Sequence, residues 1–390
     1  MKTKLTLLFL ICAFIRGPLQ SQTINPFYQG IVANVSYDSI YQHLSKFETL
    51  GVKEPGTAAI NNTRDWLLSK YTSLGYTDIK IDTFSNWGDE MYNIVVTKTG
   101  TLYPNTFVIV DGHYDTNSGT GTNDNGSGTS VILEIARVVK NITTEYSVRF
   151  INFSGEEQGL TGSDNYVTNV VNPQNMQIRL VFNIDEVGGV AGYSNDTIKC
   201  ESDQSNPSSN NVTSAAFTDS LITLTELYSN LKTKLANAYG SDYVPFQQNG
   251  EIITGYYENR KSNYVHSSND FLSHVDTSYV FQIAKAATGA TLYFARAYDV
   301  SVGTNNNVTL SDDISIYPNP FNENISIRNS IPGNQYCFKL YDMFGKLIIE
   351  KNSFSDISID TQLLQASLYF YLFEDEQGVK IKSGKLLKSY

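Results

Sequence analysis

Three apolar segments of this chain each end on a residue able to bind a metal or move a proton. Thr106 to Val110 runs into Gly112-His113-Tyr114-Asp115-Thr116, and a glycine-rich loop, Asn123-Asp124-Asn125-Gly126-Ser127-Gly128, follows shortly after. Val148 to Phe153 ends at Gly155-Glu156-Glu157, and Leu180 to Ile184 ends at Asp185. Open α/β sheets build their sites at the carboxyl ends of buried strands, so one imidazole and several carboxylates are delivered to one place. Imidazole nitrogen and carboxylate oxygen are the donors of a catalytic zinc site, which keeps one position open for water. The combination is a metal-hydrolase core.

The residue types divide the work. Two zinc ions about 3.5–4 Å apart need a shared ligand. Asp124, on a loop that Gly126 and Gly128 allow to bend tightly, suits that place. Asp115, two residues after His113, is placed to accept the second ring N–H and fix the tautomer. Glu156 and Glu157 are adjacent and cannot present identical geometry to one ion. One as ligand and its neighbour as general base is the economical division. A histidine downstream of Asp185 is still required, and His266 and His274 are the candidates. His266, in the polar run Tyr264-Val265-His266-Ser267-Ser268-Asn269-Asp270, is the better placed. His274, just ahead of a helix cap, and His43, on an early helix, are assigned structural roles. Arg260 could receive a substrate carboxylate, although an ordinary salt bridge is the simpler assignment.

The elements that must position these groups follow from periodicity. Helices are expected over Ser36–Leu50, Ala58–Leu74 with Gly75 as its terminator, Ser127–Val139, Thr218–Tyr239 and Thr277–Ala295, the last capped by Asp276 or Thr277. Strands are expected at Ile79–Phe84, Tyr92–Thr97, Thr106–Val110, Val148–Phe153 and Leu180–Ile184. The last three are apolar enough to lie inside a sheet covered on both faces. The expected architecture is a three-layer αβα domain with a mixed central sheet. Beyond the polar stretch Gly303 to Asn307, short alternating segments (Ile325–Ile327, Phe338–Tyr341, Leu347–Ile349, Ile357–Ile359, Leu368–Tyr371) predict a small all-β sandwich. The expected division is a leader at 1–21, a catalytic domain at 22–300, a linker at 301–312 and the sandwich at 313–390.

The leader is expected from Lys2 and Lys4, the apolar run Leu5–Ile15, the break at Arg16-Gly17-Pro18 and the small Ser21. The run is too short for a membrane span, which needs roughly 20 apolar residues. Export to the medium or the cell surface follows. A formal net charge of -11 argues against nucleic acid as a partner. Cys12 leaves with the leader, and Cys200 and Cys337 fall in different domains, so no disulfide framework is implied.

Gly-His-Tyr-Asp-Thr, Asn-Asp-Asn-Gly-Ser-Gly, Ser-Gly-Glu-Glu-Gln-Gly-Leu, Asn-Ile-Asp and His-Ser-Ser-Asn-Asp occur in that order. Together they resemble metallopeptidase family 28, the family of the leucyl-type zinc aminopeptidases, over about Ser36 to Ala297. The resemblance implies a zinc exopeptidase fold and two zinc ions, one held by His113 and Asp185 and the other by Glu157 and His266. Asp124 would bridge them and Glu156 would be the base. It departs at Glu186, where an apolar residue is usual, and over Gly255–Arg260. The tail, with Tyr317-Pro318-Asn319-Pro320, Leu340 to Lys346 and a lysine-rich close at Lys385 and Lys388, is similar to the C-terminal sorting domain of bacterial type IX secretion. The expected partners are therefore peptide substrates and a secretion machinery. The rivals are a carboxypeptidase or dipeptidase, a glutaminyl cyclase, which uses fewer ligands, and a non-catalytic metal-stabilised surface protein.

Overall fold

The structure, a computed structural model, describes residues 23–86, 88–238, 240–299, 314–329, 336–342, 345–353, 356–375 and 380–389. The expected leader and the linker 301–312 lie outside the described residues. The chain divides into two units, Met1–Asp299 and Val300–Tyr390.

In the first unit the elements run α1 (Pro26–Val32), α2 (Tyr37–Thr49), α3 (Ala58–Ser73), β1 (Asp78–Asn86), β2 (Asp89–Lys98), β3 (Tyr103–His113), α4 (Gly126–Val139), β4 (Tyr146–Phe153), α5 (Thr161–Tyr166), α6 (Asn172–Gln174) and β5 (Gln177–Ile184). They continue through β6 (Thr197–Ser202), α7 (Asn211–Tyr228), β7 (Lys232–Asn237), α8 (Tyr243–Gln248), β8 (Ile253–Glu258) and α9 (Thr277–Phe294). One eight-stranded mixed sheet has the order β1-β2-β4-β3-β5-β8-β6-β7. Strands β4, β3, β5 and β8 are parallel to their neighbours within that group. The chain passes from β3 to β4 on one side and then to β5 on the other, so the order reverses at β3. That reversal leaves a crevice at its carboxyl end.

Alternation along the strands sorts the core. Val108, Val110, Phe150, Leu180 and Phe182 pack with Leu44, Leu67, Val131, Ile132 and Ile283 from α2, α3, α4 and α9. Ile109, Ile151, Phe153 and Val181 pack instead with Tyr166, Val171, Tyr243 and Phe246. Both faces of the central strands are thus buried, which is why those strands are continuously apolar. The helix ends follow local rules. Ser36 caps α2 by accepting the Ser39 N–H, and Asp276 caps α9 by accepting from Ser278 and Tyr279. Gly75 (φ 84°) ends α3, with the Tyr76 and Gly75 N–H groups donating to the Tyr71 and Thr72 carbonyls.

One expected element is corrected. Instead of a helix over Thr218–Tyr239, α7 covers Asn211–Tyr228 and Lys232–Asn237 is a strand pairing in parallel with β6. Leu221, Leu224, Tyr228, Leu231 and Leu235 continue a helical spacing through the break. Ser229 is extended (φ -138°, ψ 179°), however, and the backbone hydrogen bonds of the sheet edge take the segment beyond it.

The second unit is all β. Strands β9 (Ile314–Tyr317), β10 (Asn324–Asn329) and β13 (Ile357–Asp360) form one antiparallel sheet. Strands β11 (Tyr336–Tyr341), β12 (Leu347–Ser353), β14 (Leu368–Asp375) and β15 (Lys380–Leu387) form the other. Phe321, Ile325, Phe338, Leu340, Phe373 and Leu386 fill the core of this small sandwich.

Candidate metal centre

His113 is the last residue of β3, and Asp185 follows β5 directly. Register pairing of the two parallel strands brings their ends together, and His113 Nε2 lies 3.3 Å from Asp185 Oδ1. Asp124 sits on the β3–α4 loop, ahead of Asn125, whose side chain caps α4 by accepting the Gly128 N–H. Its two carboxylate oxygens face two different imidazoles. Oδ1 is 3.2 Å from His113 Nε2, and Oδ2 is 2.9 Å from His266 Nε2. Past β4, Gly155 (φ 83°) turns the chain so that Glu156 and Glu157 re-enter the crevice. Glu157 Oε2 is 3.4 Å from His266 Nε2, and Glu156 Oε2 is 3.9 Å from His113 Nε2.

Two donor groups result. His113, Asp124 and Asp185 each bring one ligand atom, all within 4.8 Å of one another, and so do Asp124, Glu157 and His266. Asp124 belongs to both. The donors fit zinc, being imidazole nitrogen and carboxylate oxygen. The buried oxygen Glu157 Oε1 takes no hydrogen bond within the protein, as expected of an atom whose natural partner is a cation. The tautomer agrees: His113 Nδ1 lies 3.1 Å from the Asp115 carbonyl, which can only accept, so in the neutral ring Nδ1 carries the proton and Nε2 offers its lone pair.

Electrostatics describe the same need. Burial disfavours the charged His113 ring, yet the Asp185 and Glu156 carboxylates outweigh it and hold the pKa well above the ordinary value. Hydrogen bonding to Asp124 lifts His266 to about 9. Burial pushes Glu157 to about 7, helped by Asp124, and Glu156 to about 10. Asp124, despite burial, is held below the carboxylate range by the two imidazoles. So many carboxylates gathered in one crevice call for positive charge, which a dication would supply.

The surroundings differ in part from the sequence expectation. The Asp115 carboxylate is 3.6 Å from His113 Nδ1, and it accepts the backbone N–H groups of Glu156 (3.3 Å) and Glu157 (3.1 Å). His43 is buried edge-on against Trp66, and His274 stacks on Tyr264 at 3.8 Å between ring centroids. The Arg260 guanidinium lies over the Tyr193 ring at 4.7 Å. Three groups receive no role at the site from the sequence, although Glu186 is a departure from the family pattern and Asp270 closes the His-Ser-Ser-Asn-Asp motif. Ser241 donates to Asp185 Oδ2 at 2.7 Å. Asp270 accepts the N–H groups of Asn123 and Asp124. Glu186 accepts from the Tyr257 hydroxyl and lies 3.6 Å from Lys261 Nζ.

Comparison with known proteins decides the family. The model of peptidase family M28 matches residues 93–291, about half of the chain and a span that includes every one of these donors. The chain belongs to peptidase family M28. A second match, to the secretion system C-terminal sorting domain, covers residues 315–387 of the β unit. Aminopeptidase YwaD of Bacillus subtilis is 39% identical over 112 residues, which is 28% of this chain and 24% of that protein. The chain therefore spans about a quarter of that relative's length. The LapA aminopeptidase of Legionella pneumophila superposes with a TM-score of 0.62 at 20% identity, over 77% of this chain and 81% of the other. The glutaminyl cyclase of Macrostomum lignano also gives 0.62, at 14% identity, over 71% and 95%. Likeness at this level shows the M28 fold alone, so activity has to be argued from the side chains.

Proposed function

We propose that this chain is an exported aminopeptidase that holds two zinc ions, one through His113 and Asp185, the other through Glu157 and His266, with Asp124 shared. One observation carries the reading: the two oxygens of a single buried carboxylate address two imidazoles, each of which is accompanied by a further carboxylate. Zinc in such a site lowers the pKa of a water to about 7 and polarises a carbonyl. Glu156 reaches the edge of this cluster without belonging to either donor group. It takes the proton of the attacking water and passes it to the leaving amine nitrogen. With a dication held by the neighbouring donors, Glu156 would be relieved of the upward push that burial exerts on it and would stand ionised as the base. The anionic crevice also receives the protonated N-terminal amine of a peptide. Export rests on the basic-apolar leader at 1–21 and on the sorting domain, which is expected to engage a secretion machinery.

The test is hydrolysis of an aminoacyl anilide by the purified chain, beside its N-acetylated counterpart. The free-amine substrate is expected to be cleaved and the acetylated one refused. Glu156→Gln is expected to retain zinc while losing roughly 10²–10⁴ in rate, the usual contribution of a general base. Near-normal hydrolysis by that variant removes the role of Glu156. Cleavage of blocked peptides from the carboxyl end would replace the aminopeptidase reading with a carboxypeptidase.

A further inference from the structure

The donors of the candidate centre are not supported equally. His113 and Asp185 leave the ends of two paired central strands, and Asp124 is backed by the first turn of α4, where Asn125 caps the helix and Ser127 Oγ donates to the Asn123 carbonyl. His266 has neither kind of support. It stands on the β8–α9 loop with a positive φ of 52°, and its side chain is 51% exposed.

Asp270, four residues further along that loop, is buried and ties it to the Asp124 loop. Its Oδ1 accepts the Asn123 N–H at 2.8 Å, and its Oδ2 accepts the Asp124 N–H at 3.0 Å. Its backbone carbonyl accepts from Thr120 Oγ1 (2.6 Å) and the Thr122 N–H (3.3 Å). Both loops are also held from α2, because one Glu48 oxygen accepts from Thr122 Oγ1 and from the Leu272 N–H. Lys53 Nζ donates to the Thr120 carbonyl from the same side. The Tyr264–His274 stack closes the His266 loop at its base. The Asp270 carboxylate is thus the direct side-chain tie between the His266 loop and the backbone that carries Asp124, while Glu258 links the start of the same loop to Asn123 by accepting from Asn123 Nδ2 and the Ser262 N–H.

We infer that Asp270 is a positioning residue that sets the His266–Asp124 separation, and thereby the affinity of one of the two metal sites and not the other. The inference rests on the two-zinc reading above. In Asp270→Asn the side chain keeps its shape, but only one oxygen remains to accept, and its NH₂ group faces a backbone N–H that also donates. The Asp124 loop keeps its α4 backing, so the His266 loop is the part released.

The experiment titrates the metal-free full chain with Co²⁺, following ligand-field absorbance, in wild type, Asp270→Asn, His266→Ala and the double variant. Wild type is expected to bind two equivalents. In Asp270→Asn the first equivalent should keep its affinity within about twofold, while the second weakens by roughly 10–100-fold, the usual effect of losing a group that orients a ligand. In the His266→Ala background Asp270→Asn should cost nothing further, because its route of action is already gone. Equal weakening of both equivalents, no weakening, or a full effect in the His266→Ala background each overturns the inference. Fewer than two equivalents in wild type instead defeats the two-zinc reading. Circular dichroism and thermal unfolding of the four metal-free chains separate lost folding from lost affinity, and an unfolded Asp270→Asn is replaced by Asp270→Glu, for which the same split between equivalents is required.

Discussion

Replacing Asp115 by Asn separates two roles that its position allows. The carboxylate is fully buried and accepts two backbone N–H groups, from Glu156 at 3.3 Å and Glu157 at 3.1 Å. It thereby holds the turn that carries both glutamates. The His113 ring is served by the backbone carbonyl of Asp115, which the substitution leaves in place. Asn keeps one acceptor and turns an NH₂ group toward the second N–H, so one hydrogen bond to a charged group is lost, worth about 1.5–3 kcal/mol. At roughly 2–4 °C per kcal/mol for a domain of this class, the melting temperature should fall by about 3–12 °C. Glu156 should lose its alignment, so that kcat on an aminoacyl anilide drops while the affinity for the first metal equivalent, held by His113 and Asp185, stays near wild type. The assays are calorimetry, steady-state kinetics and metal titration on one preparation. Loss of first-equivalent affinity by more than tenfold with the turn intact would refute this assignment, and would show that the carboxylate acts through the imidazole.

Further outcomes follow from packing and burial. At Gly112 an added Cβ would lie 2.6 Å from the Ile184 carbonyl oxygen and 3.0 Å from Asn125 Nδ2. Gly112→Ala should therefore push β3 from β5, cost about 1–3 kcal/mol in urea unfolding and weaken metal binding through the His113–Asp185 gap. His43, pulled by burial from its ordinary 6.5 to about 4, stays neutral in the folded state while the unfolded chain protonates below 6.5. Between pH 6.5 and 4 the unfolded state binds the extra proton, so stability should fall with pH by about 1.4 kcal/mol per unit from this group. His43→Gln should flatten that part of the stability–pH curve, and an unchanged slope would dismiss the linkage.

What was legible in the sequence depended on how each group is positioned. His113, Glu156 and Asp185 end apolar runs, and such runs announce central strands, so the strand-end donors stood out. Asp124 was marked by its glycines. His266 stands on a loop without periodicity, and only its polar setting, together with the resemblance, singled it out over His274. Strand β8 was missed because Ile-Thr-Gly-Tyr-Tyr-Glu has no apolar run, although all six residues are buried. Its glutamate, Glu258, survives burial by accepting from the nearby Ser262 and, across long sequence separations, from Asn123 and Gly189. Ser241, and the role of Asp270 within its motif, were not legible for the same reason: in a polar loop, a residue that braces a ligand is spelled like one that faces water. Strand β15, rich in lysine, hid its alternation behind charges that suit an edge.

The central claim is that Asp124 stands between two metal ions. Crystals of the full chain grown with zinc, measured at the zinc absorption edge, should show two anomalous peaks about 3.5–4 Å apart, one beside His113 and Asp185 and the other beside Glu157 and His266. A single peak, or two peaks with Asp124 contacting only one, would contradict it.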